Sequence, residues 1–377
     1  MKFAHISDTH LGARQYGLSE REDDVYHAFE DAVRKIIREG ADFVVHSGDL
    51  FDSHRPQPRA LWVAARCFSR LKQRGIPVFA VTGNHDSVLR RGAMPPHVLF
   101  GDLGVRLLTE EEPFAEHKGV LIAGCPYMPR FHAAKLRETL SILASRAAGH
   151  DKSVLVLHQG IEELLPHDFE LSLSEVPGNF SYCALGHLHA RAVRDFGRGK
   201  LAYSGSTELM TSAEFADYAA SGKGFFMVDI SGDMPEVRRV DVQPRREILS
   251  ERLEAATLAD GIESLKERIS GQESKPLVFL EVDASGFDRK ALHTRILAAL
   301  APHALSLRVS YAQAAPAEPA EIRGSFDVES MIREALKDDA VAALASQLFR
   351  LLSSGDVDAA LEEAMRHYDG WRDRDVH

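Results

Sequence analysis

Five short groups of polar residues in this chain are of the types that bind metal ions and act on phosphate esters. They are Asp8-Thr9-His10, Gly48-Asp49-Leu50-Phe51-Asp52, Gly83-Asn84-His85-Asp86, Leu157-His158-Gln159-Gly160 and Gly186-His187-Leu188-His189. Together they offer carboxylate, amide and imidazole ligands without a thiolate, enough for two ions that share one carboxylate. Two cations about 3.5–4 Å apart neutralise a phosphodiester and activate water. The groups therefore predict a two-metal hydrolytic site.

Each group taken alone is a weak signal. An Asp-x-His pair recurs by chance, Gly-Asp-x-x-Asp can be a turn with a helix cap, and a lone strand-end histidine such as His158 is more often a surface residue. Gly-His-x-His is more specific, because alternate residues of an extended segment point to the same side. The occurrence of all five groups in one chain is what favours the metal site.

Each group lies at the end of an apolar run that is typical of a β-strand. The predicted strands are 2–7, 42–47, 77–82, 120–124, 153–157, 182–185, 201–203 and 225–230. Ligands bind at the carboxyl ends of strands in open α/β sheets, and a glycine beside four of the five groups lets the backbone turn sharply. Helices alternate with the early strands only, so we expect an α/β fold, a two-sheet sandwich whose second sheet is more antiparallel.

Three helices are predicted among these strands. The first has apolar residues at four-residue spacing from Val25 to Ile37, begins at a capping box in residues 19–22 and ends at Gly40. The other two are expected at 59–74 and 135–147.

The composition changes after residue 245. Residues 246–274 are typical of charged helix, and 277–282, 289–300 and 305–309 form a predicted strand–helix–strand unit. A linker rich in proline and alanine then precedes two predicted helices, at about 328–352 and 357–368. The predicted domains are 1–245, 246–313, the linker 314–326 and a helical segment 327–377.

Composition limits the class of protein. The chain has 377 residues, 45 Lys and Arg against 56 Asp and Glu, a net charge of −11, and apolar and charged fractions near globular averages. No apolar run approaches the roughly 18–20 residues of a membrane span, and the N-terminus does not read as a signal peptide. Three separated cysteines, Cys67, Cys125 and Cys183, fit a reducing cytoplasm. We therefore expect a cytoplasmic protein. Any binding of nucleic acid is expected at a local patch of the surface, because the chain as a whole is not basic.

The ordered set DxH, GDxxD, GNHD, H and GHxH resembles the calcineurin-like metallophosphoesterase superfamily over about residues 1–240. Closer features resemble its SbcD/Mre11 family, the nuclease subunits of the DNA double-strand-break repair complex, and the archaeal branch most of all. They are residues 5–12, Arg21-Glu22, residues 47–52 with Arg55-Pro56, residues 184–191 and residues 202–208. Serine/threonine phosphatases of the superfamily have Arg-Gly and Glu where this chain has Ser53-His54 and Asp86.

The resemblance implies the ligands of two divalent metal ions per chain. One ion would be bound by Asp8, His10, Asp49 and His189, and the other by Asp49, Asn84, His158 and His187. His85 would be the catalytic histidine that binds neither ion. Such ligands suit Mn²⁺, Fe²⁺ or Zn²⁺ better than Mg²⁺, and the family implies Mn²⁺. Some archaeal members have histidine at the position of Asp52, so we expect Asp52 to orient His85 or a ligand instead.

The resemblance also implies partners and a location. The substrate would be DNA at the nucleoid, and a coiled-coil ATPase of the SbcC/Rad50 type would bind the C-terminal helices. Residues 246–313 would form a capping domain beside the site, and helices near 61–71 and 98–107 would form a homodimer. Six arginines lie in predicted loops next to the motifs and are candidate phosphate contacts, although each taken singly is more often a solvated surface charge: Arg14, Arg55, Arg59, Arg90, Arg91 and Arg191.

Three functions follow from these observations. The first is a metal-dependent DNA nuclease of double-strand break repair, a 3′→5′ exonuclease on duplex ends and an endonuclease on single strands. The alternative is a phosphatase or small-molecule phosphodiesterase of the same superfamily, which residues 246–377 disfavour. A non-catalytic scaffold at DNA ends is disfavoured because every expected ligand is in the sequence.

Overall fold

A computed structural model of the chain describes residues 1–87, 94–312, 332, 336, 338–353 and 357–372. It contains two compact units, Met1–Tyr311 and Ala312–His377. The first unit holds two six-stranded sheets and a three-stranded sheet, and the described part of the second holds a pair of helices. Among the described helices, none combines the length and the apolar character needed to span a membrane.

Fifteen strands form in the described residues. In chain order they are β1 Lys2–Ile6, β2 Phe43–Ser47, β3 Val78–Val81, β4 Val105–Leu107, β5 Phe114–His117, β6 Val120–Cys125, β7 Ser153–His158, β8 Tyr182–Gly186, β9 Ala192–Phe196, β10 Gly199–Tyr203, β11 Gly224–Asp229, β12 Glu236–Asp241, β13 Ile248–Glu254, β14 Leu277–Asp283 and β15 Ser306–Tyr311. The ten strands predicted from apolar runs are all present. The five that were not predicted, β4, β5, β9, β12 and β13, all lie at sheet edges, where open sides leave no continuous apolar run.

Eight helices are described. They are α1 Ser19–Glu39, α2 Pro58–Gln73, α3 Ala133–Ala147, α4 Phe215–Ser221, α5 Leu258–Ser270, α6 Arg289–Leu300, α7 Asp339–Ser353 and α8 Val357–Arg372. Gly40 ends α1 in the left-handed conformation, with φ of 69°, as predicted. The predicted capping box is wrong, because Ser19 is already helical and its hydroxyl contacts Glu20 instead of the backbone.

The two large sheets have the same mixture of strand directions. Their spatial orders are β12-β11-β1-β2-β3-β4 and β5-β6-β7-β8-β10-β9. In the first sheet β1, β2, β3 and β4 run parallel, and β11 and β12 add two antiparallel pairings beside β1. In the second sheet β6, β7, β8 and β10 run parallel between the antiparallel edge strands β5 and β9. Each sheet therefore has three parallel and two antiparallel pairings. The prediction of a more antiparallel second sheet is therefore wrong. The chain joins β6, β7 and β8 through α3 and a long loop, and such crossover connections produce parallel neighbours.

Alternate residues along the strands face two different cores. Phe3, Phe43 and Tyr182 are buried between the two sheets. Ala4 on the outer face of the first sheet packs under α1 and α2, and Leu155 on the outer face of the second packs under α3. This arrangement of helix, sheet, sheet and helix is the predicted two-sheet α/β sandwich.

The third sheet consists of the parallel strands β13, β14 and β15, and it buries one face under α5 and α6. The strand–helix–strand unit predicted from sequence is its second half. Residues 246–274 were expected to be helical. The helix α5 confirms this for Leu258–Ser270, but the expectation is wrong for Ile248–Glu254, which form β13. Exposed and half-buried residues alternate over the second half of β13, as suits an edge strand with one open face.

The second unit is described through α7 and α8, which pack against each other. The predicted linker, 314–326, and the predicted start of the first C-terminal helix at 328 lie outside the described residues. The domain limits proposed from composition remain a prediction.

Candidate two-metal centre

The structure brings the seven predicted metal ligands together where strands of both large sheets end. Three groups follow strands of the first sheet, with Asp8 and His10 after β1, Asp49 after β2 and Asn84 after β3. The others belong to the second sheet, where His158 is the last residue of β7, and His187 and His189 follow β8. Metal ions bound here would join the two sheets.

One set of donors consists of Asp8, His10 and His189, whose ligand atoms all lie within 4.8 Å of one another. Nε2 of His10 is 3.1 Å from Nε2 of His189, and the latter is 3.9 Å from Oδ1 of Asp8. Two imidazole nitrogens each about 2.1 Å from one ion, at roughly a right angle, would be about 3 Å apart. The spacing of these nitrogens therefore fits one shared ion.

A second set of donors surrounds Asn84. Its Oδ1 lies 2.9 Å from Nε2 of His158 and 3.1 Å from Nδ1 of His187. Oδ2 of Asp49 is 3.4 Å from Nε2 of His158 and 3.7 Å from Nε2 of His10. The carboxylate of Asp49 thus lies between the two sets, at the position a bridging ligand requires.

The donor chemistry fits divalent metal ions. Asp8, Asp49 and His158 are buried and form a further close set, and uncompensated carboxylates are costly in such a place. Burial would raise the pKa of Asp49, but in the metal-free protein the neighbouring protonated His158 outweighs burial and lowers that pKa well below its usual range. Carboxylate, amide and imidazole groups are ligands for Mn²⁺, Fe²⁺ or Zn²⁺. Cys67, Cys125 and Cys183 are buried and take no part.

Four of these ligands have strained backbones. Asp8, His10, Asp49 and His187 have φ values of 50°, 43°, 52° and 95°, in the left-handed half of φ/ψ space that side chains other than glycine rarely adopt. Such conformations persist only where the surroundings hold them, and they cluster at functional sites. Their concentration in one cluster supports a functional centre.

Three glycines of the motifs provide the room for this cluster. A Cβ on Gly48 would lie 2.3 Å from Nδ1 of His158, and one on Gly83 would lie 2.1 Å from Oδ1 of Asp49. A Cβ on Gly186 would lie 2.1 Å from the carbonyl oxygen of Ser47. The glycines beside the ligands are therefore required for close approach as well as for turning.

The second ring nitrogen of each histidine from the second sheet has an oxygen partner. Nδ1 of His158 donates to the Ser47 carbonyl at 2.8 Å, which leaves Nε2 for an ion. Nε2 of His187 is 3.2 Å from Oδ2 of Asp168, and Nδ1 of His189 is 2.9 Å from Oε1 of Glu214. Asp168 and Glu214 were not predicted. The pattern Thr211-x-x-Glu214, which forms a capping box, was the one available signal for Glu214.

His85 lies beside the ligands with an exposed ring. Its backbone N–H donates to Oδ1 of Asp49 at 2.9 Å, and its Nδ1 lies 3.2 Å from the carbonyl oxygen of Asp52. The Asp52 carboxylate is 3.8 Å from Nδ1 of His85 and 3.4 Å from Nδ1 of His10. Asp52 therefore contacts both the candidate catalytic histidine and a ligand.

Asp86, the last residue of GNHD, connects two of the motif loops from the buried side of the site. It is fully buried, and its carboxylate accepts hydrogen bonds from the backbone N–H of Gly83 at 2.8 Å and of Phe51 at 3.1 Å. Burial raises the pKa of Asp86, although the charge of His97 opposes that shift. Asp86 thereby sets the spacing between the loop of Asp49 and the loop of Asn84.

The candidate phosphate contacts differ in their availability. Arg14 and Arg55 are exposed and line a groove with Asp52, although Nε of Arg14 also donates to the buried carboxylate of Glu22 at 2.5 Å. Arg59 is exposed while pairing with Asp23. Arg191 is buried, and its guanidinium donates to the carbonyls of Ser221 and Val240 and to the Asp241 carboxylate. The structure therefore does not leave Arg191 available for a phosphate. Arg90 and Arg91 lie outside the described residues.

The fold and this ligand cluster define a phosphoesterase of the calcineurin-like class, and the model of the Calcineurin-like phosphoesterase family matches residues 1–191. Relatives named DNA double-strand break repair protein Mre11 are similar over much more of the chain. The one from Methanocaldococcus jannaschii is 39% identical over 249 residues, which are 65% of this chain and 68% of that protein. The one from Saccharolobus solfataricus is 33% identical over 308 residues, 79% of each chain. The one from Thermoplasma acidophilum is 32% identical over 380 aligned residues, 95% of this chain and 96% of that protein.

The chain belongs to the Mre11 family. It is accordingly a metal-dependent phosphoesterase, and the resemblance read from its motifs is confirmed.

Proposed function

We propose that this chain is a DNA nuclease of double-strand break repair that hydrolyses phosphodiester bonds with two Mn²⁺ ions. The observation that carries the proposal is the bridging position of Asp49 between two sets of donors in a chain of the Mre11 family. The proposed activities are 3′→5′ exonuclease on duplex ends and endonuclease on single strands. Its substrate implies a location at the chromosome in the cytoplasm.

The proposed ligand sets are Asp8, His10, Asp49 and His189 for one ion, and Asp49, Asn84, His158 and His187 for the other. When bound, the ions supply positive charge that offsets the phosphodiester and promotes ionisation of water. Among the protein's own side chains, His85 is the one that takes part directly in the reaction. Its contact with the Asp52 carbonyl through Nδ1–H orients the ring, and when Nε2 also carries a proton, the ring can donate that proton to the leaving oxygen.

Arg14 and Arg55 are proposed to hold the DNA backbone beside the site. Both are exposed at the groove that Asp52 also lines, within the first large unit. Arginine binds phosphate through its planar guanidinium, and phosphate contacts position DNA without selecting its sequence. Residues 246–313 are proposed as the capping domain.

Two exposed apolar surfaces support the proposed protein partners. α2 and the segment Pro96–Leu103 pack together and expose Trp62 and Leu99, as a homodimer interface would. In the second unit, Leu352, Leu361 and Met365 are exposed on α7 and α8, which suits binding to a coiled-coil ATPase of the SbcC/Rad50 type. Sedimentation of the chain alone tests the dimer, and co-purification with such an ATPase tests the helix pair.

The test of the function is nucleotide release from linear duplex DNA in Mn²⁺. We compare the unaltered chain with His85→Gln, and use His303→Gln, an exposed histidine of the third-sheet region, as the matched control. General acid catalysis contributes about 10²–10⁴-fold, so His85→Gln is expected to lower release by that factor with unchanged metal content.

Three other outcomes are informative. Hydrolysis of nitrophenyl phosphate with no cleavage of duplex or single-stranded DNA would favour the phosphatase alternative. Failure to bind two equivalents of Mn²⁺ would overturn the two-metal site. Equal rates for His85→Gln and His303→Gln would remove His85 from the chemistry.

A further inference from the structure

A buried lysine lies behind the metal-ligand candidate His189. Nζ of Lys223 donates to Oε2 of Glu214 at 2.6 Å, to Oγ of Ser206 at 2.7 Å and to the carbonyl oxygen of His189 at 3.0 Å. Lys223 is only 6% exposed, and these three bonds use all the donors of its ammonium group. A lysine is rarely buried unless it is paired, so this arrangement calls for an explanation beyond packing.

Glu214 connects that lysine to the imidazole of His189. Its Oε1 is 2.9 Å from Nδ1 of His189 and also accepts the backbone N–H of Thr211 at 3.0 Å. One oxygen of Glu214 therefore accepts a hydrogen bond from Nδ1–H of His189, while the other oxygen pairs with the ammonium group of Lys223.

The hydrogen bond to Glu214 determines which nitrogen of His189 is free. With its proton on Nδ1, the ring presents an unprotonated Nε2, the atom 3.1 Å from Nε2 of His10. The other GHxH histidine, His187, is supported differently in the part of the chain that the structure describes: the buried Glu170 lies near it, but accepts hydrogen bonds from the backbone N–H of Gly160 and the hydroxyl of Tyr127. His187 is 3.2 Å from Asp168, whose side chain is 69% exposed. Among the described residues, no salt bridge from a lysine or arginine holds Asp168.

We infer that Glu214 and Lys223 form a positioning pair that fixes the tautomer and orientation of His189, and that this pair makes the ion of Asp8, His10 and His189 the more firmly held of the two. The inference rests on the two-metal site proposed above. Partners of this kind, behind a ligating histidine, typically contribute 10–100-fold to metal affinity.

A purely structural role for Glu214 would be as a helix cap. The capping box with Thr211 accounts for its bonds to that residue, before the short helix α4. It does not account for the approach of Oε1 to His189, nor for the burial of Lys223. The two roles make different predictions, because a cap affects folding as a whole whereas a positioning pair affects one metal site.

The experiment is a titration of the metal-free full chain with Mn²⁺, followed by the electron paramagnetic resonance of the free ion. We expect the unaltered chain to bind two ions with unequal affinity. Glu214→Gln should weaken the tighter event 10–100-fold and change the other less than about 3-fold. Asp217→Asn, an exposed acid of α4, is the matched control and should change neither event.

A second set of variants assigns the effect to one site. In a His187→Ala background, Glu214→Gln should still weaken the remaining tight event 10–100-fold. In a His10→Ala background, which disables the other set of donors, the effect should disappear. Equal losses in both backgrounds would overturn the inference, and so would an unchanged affinity in the His187→Ala background.

Two measures keep the outcomes distinct. If Glu214→Gln does not fold because Lys223 is left unpaired, the double variant Glu214→Gln/Lys223→Met removes both charges and carries the same prediction. If the unaltered chain binds no Mn²⁺, the proposed metal centre and the inference fail together. If it binds two ions with or without Glu214 at equal strength, only the inference fails.

Discussion

A Cβ built on Gly83 would lie 2.1 Å from Oδ1 of Asp49, closer than a side-chain carbon can approach an oxygen. No positive φ marks this glycine, so its role is to leave space for the shared carboxylate. The glycines of the motifs are therefore as necessary to the ligand geometry as the ligands themselves.

Gly83→Ala is predicted to displace Asp49 and so weaken both Mn²⁺ binding events, each by at least about 10-fold, since Asp49 lies between the two donor sets. The measurement is the Mn²⁺ titration described above. Gly271→Ala, where an added Cβ meets nothing within 4 Å, is the control. Undiminished affinity in Gly83→Ala would show that the loop adapts to the methyl group.

At the scale of elements, a buried ion network joins α1 to the beginning of the third-sheet region. Asp24 binds Nη1 of Arg21 at 2.6 Å and Nη2 of Arg246 at 2.9 Å. Nη2 of Arg21 reaches Oε1 of Glu208 at 3.2 Å, and Nη1 of Arg246 donates to the Lys275 carbonyl at 2.7 Å. Arg21 and Glu208, which lie in two separate segments that carry the family resemblance, are therefore parts of one contact.

Asp24→Asn is predicted to lower the free energy of unfolding by about 3–5 kcal/mol, because it leaves the buried guanidinium of Arg246 without a charge partner and leaves Arg21 with Glu208 alone. Its neighbour Asp23 pairs with Arg59 and Arg245 at the surface, so Asp23→Asn should cost less than about 1 kcal/mol. Urea unfolding of the metal-free chain measures both. Similar costs for the two variants would contradict the assignment of a buried network.

At the scale of the whole molecule, the interior between the two sheets contains a polar bridge. His5 of β1 contacts the hydroxyl of Tyr182 on the opposite sheet through Nδ1 and the hydroxyl of Ser47 through Nε2, each at 2.9 Å. Burial lowers the pKa of His5 to about 3, so the ring is neutral in the folded protein at neutral pH.

This histidine makes folding sensitive to acid. Because the folded pKa lies below the unfolded value of about 6.5, the contribution of His5 is complete above pH 6.5 and is lost as the pH falls toward 3. The loss is about 1.4 kcal/mol per pH unit within that window. In the metal-free chain, His5→Gln should therefore show a shallower decline in unfolding free energy between pH 6 and pH 4. His303→Gln, altered at an exposed position, should follow the unaltered chain, and parallel curves for all three proteins would refute the prediction.

The resemblance to a known family implied the seven candidate ligands and the role of His85. The sequence by itself determined the types and order of the five polar groups and every strand with a continuous apolar run. These features are local, since a strand's apolar run and the polar residues at its end lie within ten residues of each other. The same reasoning missed β4, β5, β9, β12 and β13, because an edge strand with open sides has no such run.

Only the tertiary structure decided which groups support the ligands. His189 meets Glu214 from 25 residues away, and Arg21 meets Glu208 across 187 residues. It also decided that Arg191, beside the last ligand in the chain, is buried against Val240 and Asp241 instead of facing a phosphate. Such pairings depend on where sheets and loops meet after folding. The local periodicity of the sequence contains no information about which residues far apart in the chain will lie close together in space.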